Sequence, residues 1–270
     1  MHLIVEPVKR NRKKSLIGQV VLILVGVQLI FFSAFACFDV PTATGRNLIR
    51  FGRNEASHLY SEIPYQWQKK VKQTCPYLPF PHEEVRYSSY CAIGPCVIFV
   101  SYVLGPALGA LAVLVYLLVG SIGPILHLFP FAAGGGLDYH LQPSFGYLLG
   151  CLLAALACGK ITCGRRTSLT QLLGMSAGLV VMHLTGAAYL FGSYLYFYIA
   201  EGSKTYLEWQ PWIFGYLRNL TWYSLPYDFI FSLLLIGCAF PFRWLASNLT
   251  APDLGPPREA KYRQRVEEFV

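Results

Sequence analysis

Two long apolar runs, separated by a loop without lysine or arginine, constrain the fold of this chain more than any other feature. The runs cover Gly105–Phe129 and Pro143–Ala157. About 20 residues of helix cross the hydrocarbon of a bilayer, so the first run can span it and the second nearly so. The loop contains three consecutive glycines, Gly134, Gly135 and Gly136, and a single acid, Asp138. Because lipid cannot satisfy bare backbone amides, such a loop at a membrane edge indicates a ligand site.

The composition favours the same class of protein. Hydrophobic residues make up 54% of the 270 residues and charged residues only 13%, whereas a soluble domain carries about 25% charged residues. We therefore predict an all-α integral membrane protein with six transmembrane helices. Its parts would be a basic cytoplasmic N-terminus over residues 1–15, a membrane domain over 16–250 and a cytoplasmic tail over 251–270.

The first predicted helix follows a basic N-terminal segment and lies in the uncharged run Ser15–Phe38. The alternative is a signal peptide cleaved near the small residues Ala34 and Ala36, but the run is longer than a usual signal core, so we favour a retained helix. The apolar pattern predicts five further helices, at Tyr90–Leu104, from Pro106 onward, at Pro143–Gly159, at Leu169–Ile199 and at Tyr227–Leu245.

The distribution of basic residues predicts the orientation in the membrane. With six spans, both termini lie on one side, and thirteen of the 22 Lys and Arg residues fall on that side. Cytoplasmic segments carry the excess of basic residues, so both termini are expected in the cytoplasm and the Gly134–Gly136 loop outside. This topology also explains most of the net charge of +8 without any nucleic acid.

Residues 39–88 form the one substantial polar segment. Leu48, Phe51 and Leu59 predict a short amphipathic helix within it, of the kind that lies on a membrane surface. We interpret the segment as an extracytoplasmic lid inserted between the first two spans, in preference to a separate binding domain.

The chain carries no sequence signature of an enzyme. Gly202–Thr205 resembles the end of a phosphate-binding loop but lacks the glycine that should precede it. None of the eight cysteines forms a Cys-x-x-Cys pair, and we expect them to pack as small apolar residues. With no cluster of Cys and His, we predict no metal, no cofactor and no catalytic residue.

The central stretch carries LGPALGALAVLVYLLVGSIG, FAAGGGL and PSFGYLLGCLLAAL in this order. It resembles the BioY family, the biotin-binding S components of energy-coupling-factor (ECF) transporters. Agreement runs from about Cys91 to Gly159 and returns at Leu225–Phe240. The resemblance implies an S-component-like helix bundle in the cell membrane that takes up biotin. Its partners would be ECF transmembrane and ATPase subunits, with membrane lipids around it and a homo-oligomer as an alternative assembly.

The resemblance also implies a binding site. Asp228 lies in Leu225–Asp228, which is similar to the family's LPGD-type motif, whose aspartate is associated with the ureido ring of biotin. The alternative role for Asp228 is an acid that begins a helix and interacts with its dipole. Gly134, Gly135 and Gly136 would supply backbone donors and close approach, and Tyr147 would form a wall of the site.

One departure from the family concerns the carboxylate of the ligand. Family members often place a lysine three residues after the aspartate, and this chain has Phe231 there. The carboxylate would then need Arg218, His140 or the amides of the glycine loop. Two alternative functions stay open: an S component for another small vitamin-like ligand, and a structural or assembly protein of the membrane without a ligand.

Overall fold

The computed structural model describes residues 15–127, 131, 134–164, 167–201 and 209–250, and most of them are helical. Two short strands, β1 (Cys37–Pro41) and β2 (Tyr87–Cys91), pair antiparallel. The helices within the described ranges are α1 (Leu16–Phe35), α2 (Gly45–Glu62), α3 (Tyr65–Thr74), α4 (Ile93–Leu104), α5 (Pro106–Ile122), α6 (Phe145–Thr162), α7 (Ser168–Glu201), α8 (Trp209–Leu217), α9 (Leu225–Gly237) and α10 (Ala239–Leu249).

Within the described residues, six apolar helical segments make up the membrane part of the fold. Five are long and apolar enough to cross a bilayer, and the sixth, α4, is apolar but shorter. This confirms the predicted fold class, an all-α membrane protein of about six spans. The five long segments are Leu16–Phe35, Pro106–Ile125, Phe145–Thr162, Ser168–Ala200 and Trp212–Gly237.

The first helix, α1, is an integral part of the bundle. Its buried residues recur at about every fourth position, which places them on one face that packs against α4 and α5. Other positions, such as Leu24 and Phe32, are exposed, as expected of side chains that face lipid. The backbone N–H of Ser15 donates to the carbonyl of Thr250 at 3.4 Å, so the described chain begins and ends at the same end of the bundle.

The last span differs from the prediction of one helix over Tyr227–Leu245. That helix is broken at Cys238, between α9 and α10. Pro241 lacks the N–H that would bond to the carbonyl of Gly237 in a continuous helix, which explains the break. Before this span, the residues from Trp209 onward are helical although they lie between the predicted helices Leu169–Ile199 and Tyr227–Leu245. A π-helical turn at Arg218–Trp222, hereafter the π-turn, links α8 to α9.

The polar segment between the first two spans forms a folded lid, residues 37–91. The predicted amphipathic helix is present as α2, and α3 follows it. Asn47 of α2 holds the lid together, because its side chain bonds to both the backbone N–H and the carbonyl of Arg86 at 2.8 Å. Strands β1 and β2 close the lid where it joins the membrane helices.

A disulfide joins Cys37 and Cys91 across these two strands. The expectation that all cysteines merely pack is therefore wrong for this pair. The two cysteines are 54 residues apart in the sequence, and only the pairing of the strands places them opposite each other. The other six cysteines form no disulfide, and one of them, Cys75 of the lid, is exposed.

Candidate functional site

Asp228 lies at the point where β2, α7 and α9 meet, and it is only 4% exposed. It belongs to the first turn of α9. The hydroxyl of Tyr90, from β2, donates to its Oδ1 at 2.7 Å. Nε2 of His183, from α7, lies 3.1 Å from its Oδ2. One buried carboxylate thus connects the lid to two membrane helices.

The surroundings of Asp228 explain why a carboxylate can be buried there. A buried charge is tolerated only when it is paired and hydrogen-bonded, and Tyr90 and His183 supply these contacts. The start of α9 adds the positive end of a helix dipole. Burial, followed by the negative charge of Asp228 and the hydrogen bond to it, raises the pKa of Tyr90 far above its ordinary value. The Tyr90 hydroxyl therefore stays protonated and acts as the donor.

Beside this carboxylate lies a cavity of about 240 Å³, hereafter the Asp228 cavity. Its volume is slightly below the range of about 300–1,000 Å³ that is usual for small-molecule sites. A few polar groups and an apolar wall line it, as in most such sites. The polar groups include Asp228, His183, Tyr90, Tyr147 and Asn219, and the apolar wall includes Leu148, Cys151 and Met182.

Hydrogen-bonding capacity remains at this cavity after the internal contacts are made. A carboxylate offers about four lone-pair sites, and the contacts to Tyr90 and His183 use two of them. Nδ1 of His183 is buried and has no hydrogen-bond partner among the described residues. If Nε2–H donates to Asp228, Nδ1 accepts a hydrogen bond when the imidazole is neutral and donates one when it is protonated. The arrangement suits a ligand with adjacent N–H and carbonyl groups.

Tyr147, the predicted wall residue, lines the same cavity as Asp228. Its ring packs edge-on against His183, with the ring centroids 6.1 Å apart. Its hydroxyl is hydrogen-bonded to the hydroxyl of Thr221 at 2.7 Å. The structure thus brings together two of the predicted site residues, although they are far apart in the sequence.

The Gly134–Gly136 loop does not line the Asp228 cavity. All three glycines have positive φ, between 82° and 113°. The N–H of Gly136 donates to the carbonyl of Gly120 in α5 at 3.1 Å, and a Cβ on Gly135 would lie 2.4 Å from the same oxygen. The close approach that these glycines allow is therefore made to α5. Their role in ligand binding stays a prediction.

Two residues of the site were not singled out in the sequence, His183 and Tyr90. His183 lies within the apolar run of α7, and an ionisable residue inside a transmembrane segment is a functional candidate by default. That signal could have identified it. No local signal exists for Tyr90, because its contact with Asp228 joins residues 138 positions apart.

The lid forms an aromatic roof over Asp228. The ring of Tyr90 stacks on Phe231, with centroids 5.6 Å apart and an interplanar angle of 19°. The hydroxyl of Tyr227 donates to the carbonyl of Pro41 in β1. Phe231 occupies the position at which the family often has lysine, and its stacking on Tyr90 gives it a structural role here.

A model of the BioY family matches residues 95–240. The probable biotin transporter BioY of Lysinibacillus sphaericus is 37% identical over 92 residues, which are 33% of this chain and 44% of that protein. An uncharacterized 21.2 kDa protein of Cyanophora paradoxa, from the psbX-ycf33 intergenic region, is 29% identical over 54% of this chain and 69% of its own length.

Among solved structures, the S component for biotin from an ECF-type ABC transporter aligns with 85% of this chain and 94% of its own, at a TM-score of 0.48 and 18% identity. The chain spans less than half the length of the Lysinibacillus protein that it matches. The family model, in contrast, covers more than half of the 270 residues, from the start of α4 to the start of α10. The chain therefore belongs to the BioY family.

Proposed function

We propose that this chain captures biotin at the outer face of the cell membrane and acts as the substrate-binding component of an uptake transporter. The observation that carries the proposal is the cavity around buried Asp228 and His183 in a chain of the BioY family. The chain is not an enzyme in this account. Transport energy comes from separate transmembrane and ATPase subunits of the ECF type.

The chemistry of biotin fits the groups at this cavity. Its ureido ring presents two N–H donors and one carbonyl acceptor. The unused lone pairs of Asp228 accept from an N–H, and hydrogen bonds to a charged group are the stronger ones, particularly in a site of low dielectric. His183, which lines the same cavity, supplies a further polar contact to the same ring. Leu148 and Met182 give the apolar part of the ring system a surface to pack against.

The proposed orientation places the lid outside the cell and both termini in the cytoplasm. The Cys37–Cys91 disulfide supports this, because disulfides persist in oxidising compartments and are rare in the cytosol. The excess of basic residues near the termini supports the same orientation. Asp228, at the lid end of α9, would then meet a ligand that arrives from outside.

Titration calorimetry on the purified protein in detergent tests the proposed function. Biotin should give saturable binding, whereas riboflavin and thiamine, which lack the ureido ring, should give none. Saturable binding of another small ligand without biotin binding would favour the alternative, an S component for a different vitamin-like molecule. Absence of saturable binding for any such ligand would favour a structural role in the membrane.

A further inference from the structure

An open groove, with a volume of about 620 Å³, lies along the exposed side of α8 and the π-turn, beside Phe214 and Trp222, and we call it the Arg218 cavity. The π-turn contributes residues to both cavities. Asn219 and Leu220 line the Asp228 cavity, whereas Arg218 and Thr221 line the second one. A π-helical turn is uncommon, and such turns occur frequently at functional sites. Here it contributes consecutive residues to the linings of two cavities.

One hydrogen bond joins the linings of the two cavities. Tyr147 lines the Asp228 cavity, Thr221 lines the Arg218 cavity, and their hydroxyls are 2.7 Å apart. A bond between two hydroxyl groups is easily exchanged, because each group can rotate and can bond to a ligand or to water instead.

The two cavities differ in charge. Among the described residues that line the Asp228 cavity there is no lysine or arginine, so a carboxylate held entirely inside it would lie near Asp228 without a permanent cationic partner. Arg218 is the only lysine or arginine among the described lining residues of the second cavity. Its guanidinium lies over the ring of Tyr223, 5.7 Å from the centroid, and the described residues provide no ion pair for it.

Most of the other candidates for binding a ligand carboxylate, namely His140 and two of the three amides of the glycine loop, are engaged elsewhere. His140 lines a different cavity, beside Tyr189, and its Nδ1 is bonded to the carbonyl of Leu137 at 2.6 Å. The backbone N–H groups of Gly134 and Gly136 donate to carbonyls of this chain, those of Phe131 and Gly120. Among the described lysine and arginine residues, Arg218 is the one whose neighbours in the sequence, Asn219 and Leu220, line the Asp228 cavity.

We propose that Arg218 binds the carboxylate of the substrate in the Arg218 cavity while the polar ring of the same molecule occupies the Asp228 cavity. This rests on the proposed function, because it takes biotin as the ligand. The valerate chain passes the position of the Tyr147–Thr221 hydrogen bond. Arg218 would thereby make the protein selective for a ligand that combines a polar ring with an anionic tail.

The test compares biotin with biotinamide, whose tail is neutral, by titration calorimetry on the purified full-length protein. Wild type should bind biotin about fivefold more tightly, an effect typical of a partly exposed charge pair. Arg218→Gln should bind both ligands with the affinity that wild type shows for biotinamide. Arg218→Lys should keep part of the preference for biotin over biotinamide. Arg243→Gln is the matched control, because Arg243 also lies over a tyrosine ring, Tyr102, but lines neither cavity. It should keep the full preference.

Equal binding of the two ligands by wild type, or a preference that persists in Arg218→Gln, would overturn the assignment of Arg218. If neither ligand binds to wild type, the proposed function itself fails. A second measurement needs no variant: the preference of wild type for biotin should shrink as salt is raised, because Arg218 is exposed. A preference that is insensitive to salt would place the carboxylate against a buried group and contradict the proposal.

Discussion

The Asp228 cavity and the Gly134–Gly136 loop use the polar groups of the chain in opposite ways. At Asp228, polar side chains are buried beside open space, and some of their hydrogen-bonding capacity is unused. In the loop, the backbone approaches α5 so closely that Gly135 has no room for a Cβ. Glycines with positive φ therefore do not by themselves indicate a ligand site. They can equally admit another part of the same chain.

The largest expected effect is that of Gly135→Val on stability. The new side chain would meet the carbonyl of Gly120 and would need a φ that β-branched residues avoid. Strain and overpacking together should lower the free energy of unfolding by about 2–6 kcal/mol. Thermal unfolding in detergent measures this.

Gly134→Ala is the control for Gly135→Val. Gly134 also has positive φ, but a Cβ there would contact nothing within 4 Å. Backbone strain alone should lower the free energy of unfolding of Gly134→Ala, by about 1–3 kcal/mol. If Gly135→Val melts at the same temperature as wild type yet fails to bind biotin, the loop is a ligand site. The loop and the Asp228 cavity would then not differ in function.

Removal of the disulfide should have the next largest effect, and it acts on the roof of the cavity. The double variant Cys37→Ser, Cys91→Ser frees β2, which carries Tyr90. Loss of a native disulfide costs about 2–5 kcal/mol, so proteases should cleave within the lid faster than in wild type. Biotin should also bind more weakly, since Tyr90 is no longer held against Asp228. Cys75→Ser removes an exposed free thiol of the same lid and should change neither property.

His183→Gln should weaken biotin binding by a smaller amount. Glutamine keeps a group able to donate to Asp228 but removes the ring that packs on Tyr147 and the free Nδ1. The loss of one hydrogen bond costs about 0.5–1.5 kcal/mol, or roughly a factor of two to thirteen in affinity. Calorimetry should find no change in biotin affinity for His140→Gln, because His140 lies outside the Asp228 cavity. Equal losses of biotin affinity in His183→Gln and His140→Gln would mean that the Asp228 cavity and the glycine-loop region cannot be distinguished as binding sites.

The smallest effect is expected for Asp138→Asn. Asp138 is exposed and lies in the 3-10 turn that follows the glycine loop. Solvent already satisfies its carboxylate, so biotin affinity should change by less than about twofold. A tenfold loss of affinity in the same calorimetric titration would indicate that the ligand binds at the loop.

Much of the membrane architecture could be read from the sequence, because a span needs a long apolar run and little else. The positions of α1, α5, α6 and α7 followed from such runs. The break at Cys238 did not, since Pro241 lies inside an otherwise apolar run that predicts one helix. The disulfide was missed because it depends on the pairing of two strands that are separated by the whole lid.

The candidate site was only partly predictable. Asp228 stood out through its motif and Tyr147 through the resemblance to the family. The sequence shows that Gly135 permits an unusual backbone, but it does not show that the nearest neighbour is Gly120. Tyr90 and His183 complete the surroundings of Asp228 through contacts of long sequence separation, and such contacts leave no local pattern.

Titration of biotin into wild type and Asp228→Asn tests most directly whether the ligand binds at the buried carboxylate. Asparagine keeps the size of the side chain but replaces one acceptor oxygen by a donor and removes the charge. Hydrogen bonds to charged groups contribute about 1.5–3 kcal/mol, so affinity should fall about tenfold to a hundredfold, with at least the same loss for Asp228→Ala. A folded Asp228→Asn protein that binds biotin as tightly as wild type would contradict the assignment of the site to Asp228.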